Sequence, residues 1–348
     1  MPAHDMVFLS NDPLTRKKWA KDLFHVMLPA VEFNDLIGSG TDSVIQMRTE
    51  LGKGEGDQIT FGIRRQLLQQ GIVGNEPVEG NEEKIRFKDF SMLIEELNFA
   101  IDTGGRMDEQ RVPYDIMVEG KDALADKWAD ALSDLAINTL AGNSTYTISG
   151  KNFAQACTEP DAGHKITVND VAEANISSSE IMDLSFLDRM KQRAELPATG
   201  CDKIRPLKIK GKNYFRVILH NYVFDQLKGN TNVGQWGDIQ RSAQLLTKDI
   251  QMNAELEYNG MLITKSERMP SLYTNVYRAV LLGAQAATFA WGGAGESKST
   301  TLAFVPYEKD AKRYIMIRSG GIFGCKKVVF DGHDNSVITA ASYATALN

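Results

Sequence analysis

Apolar and polar residues alternate along the chain with two different periods, and the longest regular pattern predicts a helix over residues 113–141. Its large apolar residues recur at three- and four-residue spacing, which places them on one face: Leu124, Trp128, Leu132 and Leu135. Pro113 suits the first turn, where a missing N–H costs nothing, and Gly142 can end the helix in the left-handed conformation. A helix of this length spans roughly 40 Å, so we expect other elements to pack across it.

Two segments before this helix alternate with the period of a β-strand. The first, over residues 58–64, places Ile59, Phe61 and Ile63 on one face. The second covers residues 84–101, and its alternation shifts by one residue near Lys88 and Asp89, which indicates a β-bulge or bend. We call these two strands and their connection the ribbon, and we expect its tip, residues 71–83, to project. Because a two-stranded ribbon is marginal in water, it needs a neighbour for stability.

The N-terminal residues 1–48 lack a long regular pattern and are predicted to form an irregular arm. A short amphipathic helix is predicted over residues 15–27, followed by a loose segment through Gly38, Gly40 and Asp42. The alternative is a terminus that is simply disordered.

Residues 150–290 predict the body of a second domain. Helices are expected over residues 169–175 and 183–194, and a hairpin about Gly211 is expected to lead into a helix over residues 221–227. Residues 276–291 are apolar and small, which suits a buried strand or helix.

The last part of the chain contains a second glycine-rich pattern. Residues 313–330 predict two strands separated by Gly320, Gly321 and Gly324. The tail after Asp331 is small and polar, and we expect it to be frayed.

The composition is that of an ordinary globular protein. Of 348 residues, 43% are hydrophobic and 24% are charged, which provides a sizeable core over about two domains' worth of chain. The net charge of −6 argues against a nucleic-acid or anionic-membrane surface as the main function. No run approaches the roughly 20 apolar residues of a membrane span, and the N-terminus lacks the pattern of a signal peptide. We therefore expect synthesis in the cytoplasm and no membrane partner.

One glycine-rich segment superficially resembles a nucleotide site. Residues 291–300 place Lys298 at the distance of a phosphate-binding loop, but Ser297 stands where a glycine is required before the lysine. The residues that follow are strand-like, whereas a phosphate would need a helix N-terminus. A glycine-rich surface loop is the better interpretation.

The sequence gives equally weak evidence for a metal site or a reactive thiol. Cys157, Cys201 and Cys325 are too widely separated for a zinc or disulfide pattern, so each is expected to be a small buried residue. The histidines lie far apart, and none has a ligand at helical or hairpin spacing: His4, His25, His164, His220 and His333. The sequence predicts no catalytic residue, no cofactor and no metal site, and therefore no enzyme.

The order of these elements resembles the major capsid proteins of tailed phages with the Hong Kong 97-like fold. Three stretches carry the resemblance: residues 56–84 (GDQITFGIRRQLLQQGIVGNEPVEGNEEK), 123–142 (ALADKWADALSDLAINTLAG) and 279–291 (AVLLGAQAATFAW). Together they look like one branch of that group, typified by the coat protein of coliphage N-four.

The resemblance implies an α+β fold with five parts. These are an N-terminal arm over residues 1–48, an E-loop β-hairpin over 49–103, a P-domain with its spine helix over 104–150, an A-domain over 151–290, and return strands of the P-domain with a C-terminal tail over 291–348. The spine helix corresponds to the long helix predicted above, and the E-loop corresponds to the ribbon.

The resemblance also implies a structural function. The chain would self-assemble as pentamers and hexamers into the icosahedral shell of a bacteriophage virion, around double-stranded DNA that an acidic protein holds only loosely. Scaffolding, portal and decoration proteins are the other expected partners. Contacts between subunits are expected from the glycines and mixed charges of the ribbon: Arg64, Arg65, Gly71, Gly74, Glu76, Glu79, Glu82, Glu83, Lys84 and Arg86.

Two alternatives stay open at this point. One is an encapsulin-like nanocompartment shell with the same fold, made in a cell and filled with protein cargo. The other is a nucleotide-binding enzyme that uses the loop from Gly292 to Ser299, against which Ser297 argues.

Overall fold

The computed structural model describes the chain except for residues 1–30, 33, 49–55, 65–70, 75–76, 81, 83–86, 106–109, 112, 114–115, 210, 231–254, 294–301, 311–313 and 347–348. The helix predicted over residues 15–27 lies outside the described residues.

Three α-helices shape the described part of the chain: α1 (Ile116–Ala141), α2 (Leu184–Glu195) and α3 (Asn221–Gly229). All three were predicted, although α1 begins at Ile116 and not at Pro113. Helix α2 starts after Asp183, whose carboxylate accepts a hydrogen bond from the backbone N–H of Phe186 at 2.8 Å. Such a side-chain acceptor satisfies a backbone donor that the helix itself leaves unpaired.

Helix α1 ends at the predicted glycine. Gly142 has φ +65°, and its N–H donates to the carbonyl of Thr139 while the N–H of Asn143 donates to Asn138. These two bonds form a Schellman motif, which satisfies the last carbonyls of a helix. A Cβ at Gly142 would lie 2.7 Å from Cδ of Pro160, so glycine is required by its surroundings as well as by its backbone.

The strands before α1 are β1 (Ile37–Gly38), β2 (Ile45–Arg48), β3 (Gln58–Arg64), β4 (Phe87–Leu93) and β5 (Glu95–Gly105). The strands after α1 are β6 (Lys165–Thr167), β7 (Leu207–Ile209), β8 (Lys212–His220), β9 (Leu256–Tyr258), β10 (Met261–Ser266), β11 (Ser271–Tyr273), β12 (Val276–Leu282), β13 (Ala287–Trp291), β14 (Leu302–Lys309), β15 (Tyr314–Lys327), β16 (Val329–Phe330), β17 (His333–Asp334) and β18 (Val337–Tyr343).

The first layer is a six-stranded sheet with α1 packed against it. Its strands follow the order β1–β2–β13–β15–β14, and β5 also pairs with β15. Helix α1 contacts β5 and β15, where the ring of Trp128 packs edge-on against Phe99 at 4.9 Å and Phe323 at 5.9 Å. The indole N–H of Trp128 donates to Oγ of Ser319 at 2.9 Å, so this fully buried ring has no unpaired polar atom. Leu124, Leu132 and Leu135 are buried on the same helix.

The second layer is an eight-stranded sheet in the order β6–β18–β12–β8–β10–β9, with β7 paired to β8 and β11 paired to β12. Helix α2 contacts β18, and α3 contacts β8 and β10. A separate apolar core fills this layer, and Phe224, Val217 and Leu281 within it are fully buried. The predicted hairpin about Gly211 is the pair β7–β8.

One arginine joins the two layers. Arg278 of β12 donates from Nη1 to the carbonyls of Ala141 and Gly142, at 2.9 and 2.7 Å, at the end of α1. Its other nitrogens donate to both carboxylate oxygens of Glu173, which also pairs with Lys165 at 2.7 Å. The C-terminus of the long helix, which carries partial negative charge, is therefore fixed to the second sheet by a buried cation.

Outside the ribbon, four predictions about local structure are wrong. The segment near Gly38 is not loose, because β1 and β2 pair with each other and β2 pairs with β13. Residues 169–175 form two short 3-10 turns instead of one helix, since Asn169 and Asp170 have positive φ. The glycines near 320 do not divide a strand, because β15 runs unbroken from Tyr314 to Lys327. The tail is not frayed, because β18 is a buried inner strand between β6 and β12.

The predicted boundaries of the five parts stay a prediction, but two strands pair outside their assigned part. Strand β13 ends the region assigned to the second domain, yet it pairs with β2 and β15 in the six-stranded sheet. Strand β18 lies within residues 291–348, which were assigned to the return strands of the P-domain and the C-terminal tail, yet it pairs in the eight-stranded sheet. The chain therefore passes from the six-stranded sheet to the eight-stranded sheet twice, once after α1 and again before β18.

Candidate intersubunit surfaces

The ribbon is a two-stranded sheet that pairs only with itself among the described strands. Strands β3 and β4 are in continuous register from Gln58 opposite Leu93 to Arg64 opposite Phe87. No bulge occurs at the predicted place, because Lys88 and Asp89 pair in the same register as their neighbours. The break lies instead at Ile94, between β4 and β5, where the chain leaves the ribbon and enters the six-stranded sheet.

The base of the ribbon is anchored on the body of its own subunit. Ile59, Phe90 and Met92 are buried in a small core with Val328 and Phe330. This burial provides the apolar contact that a two-stranded ribbon lacks on its own.

A lysine of β15 strengthens this anchor. Lys326 Nζ donates to the carbonyl of Ser91 at 2.7 Å and lies 4.8 Å from the centroid of the Phe90 ring. Burial lowers the pKa of Lys326 from its usual value. The ribbon base is thus held by hydrogen bonding and a cation–π contact as well as by apolar packing.

The tip has the opposite character, because its described residues point into open space. The backbone at Gly71, Gly74 and Gly80 has positive φ, and a Cβ at any of the three would meet nothing within 4 Å. Val73 and Val78 are 85% and 63% exposed. Burial of these two exposed aliphatic side chains would contribute stability only if another surface covered them.

The structure describes half of the residues predicted to make subunit contacts. Gly71, Gly74, Glu79 and Glu82 are exposed at the tip, and the Glu82 carboxylate accepts from the N–H of Gly80 at 2.8 Å. The backbone of Arg64 lies at the end of β3. The others fall outside the described residues: Arg65, Glu76, Glu83, Lys84 and Arg86. Their contact role stays a prediction.

The described end of the N-terminal arm is fixed to its own subunit. Its acidic side chains pair with arginines of the second layer: Glu32 with Arg268 at 3.2 Å, Asp35 with Arg216 at 3.4 Å, and Asp42 with Arg205. Burial raises the pKa of both Glu32 and Asp35, although the neighbouring arginines oppose that shift. These pairs fix the described end of the arm, from Glu32 to Asp42, against the body of the same subunit.

The glycine-rich loop of residues 291–300, for which a nucleotide site was the less favoured interpretation, is only partly described. Trp291 is buried and Gly292 lies against Ile322, but Ser297 and Lys298 fall outside the described residues. The strand predicted after the loop is confirmed as β14. A strand here gives no helix N-terminus for a phosphate.

Each cysteine was expected to be buried, and two of the three are. Cys157 and Cys325 are buried, and burial raises the pKa of each thiol, which makes them poor nucleophiles. Cys201 is only partly buried and lies beside Asp161. Burial and the neighbouring Asp161 carboxylate raise the pKa of Cys201.

Two histidines that lie far apart in the sequence meet at one carboxylate in the structure. His164 Nδ1 lies 2.7 Å from Asp161 Oδ1, and His333 Nδ1 lies 2.9 Å from Asp161 Oδ2. Burial opposes ionisation of Asp161, but the hydrogen bonds from His333, the Asp334 backbone and His164 outweigh it and lower the pKa to about 2. The three-residue spacing of Asp161 and His164 was visible in the sequence, whereas the approach of His333 was not.

None of the helices within the described residues is long and apolar enough to cross a membrane.

Comparison with known proteins identifies sequence relatives. Residues 7–346 match the phage capsid protein family. The major capsid protein of Pseudomonas phage KPP25 is 26% identical over 207 residues, which is 54% of this chain and 54% of that protein. The chain thus spans about half the length of this relative in the alignment.

Solved structures show the same fold. The capsid of Ralstonia phage GP4 has a TM-score of 0.76 at 22% identity, over 90% of both chains. The capsid asymmetric unit of cyanophage Pam1 has a TM-score of 0.69 at 16% identity, over 90% of this chain and 92% of that one. These matches confirm the expected α+β Hong Kong 97-like fold. Assignment to the branch of coliphage N-four stays a prediction.

Proposed function

Because the chain belongs to the phage capsid protein family, we propose that it is the major capsid protein of a tailed phage. Copies of the chain assemble through pentamers and hexamers into a closed icosahedral shell that encloses double-stranded DNA. The chain acts through surfaces that fit one another and performs no catalysis.

The observation that carries this proposal is the contrast between the two ends of the ribbon. Its base is buried on its own subunit, through Phe90 and Met92, while Val73 and Val78 at the tip are exposed. A tip that carries exposed apolar side chains, on a ribbon whose base is buried on its own subunit, suits contact with a second subunit.

The mixed charges of the ribbon support the same role. Glu79 and Glu82 are exposed beside the valines, so they would lie at the rim of a contact made by the tip. Charges at the rim of an interface favour one relative orientation of the partners more than they add affinity. In a shell, where one contact recurs at every boundary, a fixed orientation matters more than tight pairwise binding.

The partners follow from the same assignment. Further copies of this chain are the main partner, and scaffolding, portal and decoration proteins are the others. The net charge of −6 leaves packaged DNA only loosely held by the inner surface. The chain is made in the cytoplasm of the bacterial host and ends in the capsid of the virion.

Electron microscopy of the chain expressed with the neighbouring genes of its phage tests the proposal. We expect closed shells with icosahedral symmetry and a scattering mass far above that of a monomer. If light scattering and microscopy found only monomers or small dimers under these conditions, the capsid assignment would be wrong. Shells that enclose a cellular protein cargo and never DNA would favour the nanocompartment alternative instead.

A further inference from the structure

We propose that Asp161, Cys201 and His333 form a binding site for a divalent first-row transition-metal ion such as Zn²⁺. His164 contacts the other oxygen of the Asp161 carboxylate, Oδ1, and so orients that carboxylate. The assignment is independent of shell formation, since it rests on side chains of the second layer and not on the ribbon.

The distances among the three donor atoms fit one metal ion. Oδ2 of Asp161 lies 2.9 Å from Nδ1 of His333 and 4.0 Å from Sγ of Cys201, and this sulfur lies 3.8 Å from the same nitrogen. A triangle with these sides has a circumradius of about 2.1 Å, and zinc bonds are roughly 2.0–2.2 Å to oxygen or nitrogen and 2.3 Å to sulfur. An ion near the plane of the three atoms would therefore reach all of them with little movement.

The carboxylate is held in place for this task. Its second oxygen, Oδ1 of Asp161, accepts hydrogen bonds from Nδ1 of His164 at 2.7 Å and from the N–H of Asp334 at 3.1 Å. The His164 side chain is 3% exposed, so its ring is fixed by burial. Outer hydrogen bonds of this kind are what orient ligating carboxylates in metal sites. A donor atom of His164 also lies within 4.8 Å of those of Asp161 and Cys201.

Two further features hold the other ligands. A Cβ at Gly163 would overlap Sγ of Cys201, so the absence of a side chain there lets the thiol approach the carboxylate. His333 lies in strand β17, and the next residue of that strand, Asp334, forms a fully buried ion pair with Lys327 at 2.7 Å. Both ligands therefore reach the carboxylate from fixed backbone positions.

The site is open to solvent on one side. The side chain of His333 is 44% exposed, and it lines a cavity of about 180 Å³ together with Gly200 and Asp334. An ion can enter through this cavity, and a water molecule from it can occupy a further coordination position beside the three protein ligands.

The donor set selects the class of ion. A thiolate and an imidazole favour zinc and related transition metals, whereas Ca²⁺ and Mg²⁺ require oxygen ligands. The three ligands come from the loop after α1, the loop after α2 and the short strand β17. Because an ion bound here links three separate segments in the folded state only, it would raise the unfolding temperature of the protein.

The test uses the full chain, stripped with a chelator and then titrated with Zn²⁺ alone or Co²⁺ alone. We expect one tightly held ion per chain, a higher unfolding temperature in Zn²⁺, and a sulfur-to-metal charge-transfer band with Co²⁺. Cys201→Ser should weaken Zn²⁺ binding by roughly a hundredfold or more and abolish that band. His333→Gln, at a half-exposed position, should weaken binding by at least about tenfold.

Cys157→Ser is the matched control, since this thiol lies elsewhere, beside Thr139 Oγ at 3.6 Å, and should leave binding unchanged. Absence of stoichiometric Zn²⁺ binding by the wild-type chain would mean that the cluster is only a hydrogen-bonded one. Binding undiminished in both Cys201→Ser and His333→Gln would overturn the assignment as well. The wild-type Co²⁺ spectrum decides the question even if a variant fails to fold.

Discussion

The guanidinium of Arg278 donates two parallel hydrogen bonds to the carboxylate of Glu173, at 3.0 and 2.9 Å, with both side chains buried. The same arginine caps the end of α1 through the carbonyls of Ala141 and Gly142. A single side chain thus connects the long helix, the second sheet and the loop that carries Glu173.

Replacing Arg278 should be severely destabilising. Arg278→Met leaves the buried Glu173 carboxylate with Lys165 alone and leaves two helix carbonyls without their donor, which we expect to cost about 3–5 kcal/mol. Urea unfolding of the soluble subunit measures this loss. Arg189→Met is the control, because Arg189 pairs with Asp170 at the surface and should cost less than about 1 kcal/mol. Equal losses of unfolding free energy in the two variants would contradict the role of Arg278 in connecting α1 to the second sheet.

The ion pair between Arg278 and Glu173 also predicts that the stability of the protein depends on pH. Burial alone would raise the pKa of Glu173, but hydrogen bonds from Arg278 and Lys165 outweigh it and hold the pKa below the usual 4.5. A depressed pKa in the folded state gives stability that is present above pH 4.5 and is lost as pH falls through the folded value. The unfolding midpoint of the wild type should therefore fall in acid more steeply than that of Glu173→Gln.

The control for this pH dependence is Asp170→Asn, at an exposed carboxylate nearby. Its midpoint should follow the wild-type curve. If Glu173→Gln lost stability in acid as steeply as the wild type, the ion pair would not be the source of the dependence.

Deleting the ribbon tip should separate folding from assembly. Replacing residues 71–83 with a short Gly–Ser turn removes a segment whose described residues are exposed except for the partly buried Ile72, so the subunit should stay soluble and melt cooperatively. Shell closure should fail, because even about 1 kcal/mol lost per contact is repeated at every subunit boundary. Microscopy and calorimetry of the same preparation give both readouts. Normal shells from this variant would show that the tip makes no essential contact.

A milder variant tests the tip valines alone. Val73→Ser with Val78→Ser should leave the unfolding temperature unchanged and reduce the yield of shells. Ile59→Ser is the matched contrast at the ribbon base, where the side chain is 6% exposed and its loss should lower stability of the subunit itself.

Truncating the Trp128 ring, at the centre of the first layer, should impair folding of the subunit itself. Trp128 is fully buried, so Trp128→Ala should cost about 3–5 kcal/mol and yield insoluble protein. Ser319→Ala removes only the hydrogen-bond acceptor of the indole and should cost less, about 1–3 kcal/mol. Solubility and urea midpoints measure both. A folded Trp128→Ala subunit that had lost only assembly would mean that this face is an interface and not a core.

The chain should not bind nucleotides through the loop after β13. Ser297 replaces the glycine that a phosphate cradle requires, so we expect no micromolar ATP affinity and no hydrolysis that Lys298→Ala reduces. Calorimetric titration with ATP measures this directly. Micromolar binding that disappears in Lys298→Ala would revive the enzyme alternative.

The sequence by itself determined the elements whose signals are local. The long helix follows from the spacing of Leu124, Trp128 and Leu132, and its end follows from Gly142, because helical periodicity and a left-handed cap depend on near neighbours only. The hairpin about Gly211 and the ribbon strands were predicted for the same reason. The family resemblance then supplied the order in which these elements are assembled.

Tertiary structure decided how glycines and small residues are used. The sequence pattern predicted that Gly320 and Gly324 interrupt a strand, yet both lie inside β15. A Cβ at Gly320 would overlap the side chain of Asn98, and a Cβ at Gly324 would overlap the carbonyl of Leu93. The small residues of β18 read as a frayed tail, yet they are buried between two strands. In both places a small residue permits close packing, and nothing local distinguishes that from flexibility.

Only the folded chain could reveal the cluster at Asp161. His164 is three residues away from Asp161, but Cys201 and His333 lie 40 and 172 residues further along the sequence. Periodicity fixes which residues share a face, whereas the meeting of three distant segments depends on how α2 packs against β18 of the second sheet. The sequence therefore predicted the scaffold, and the tertiary structure alone brought these side chains together.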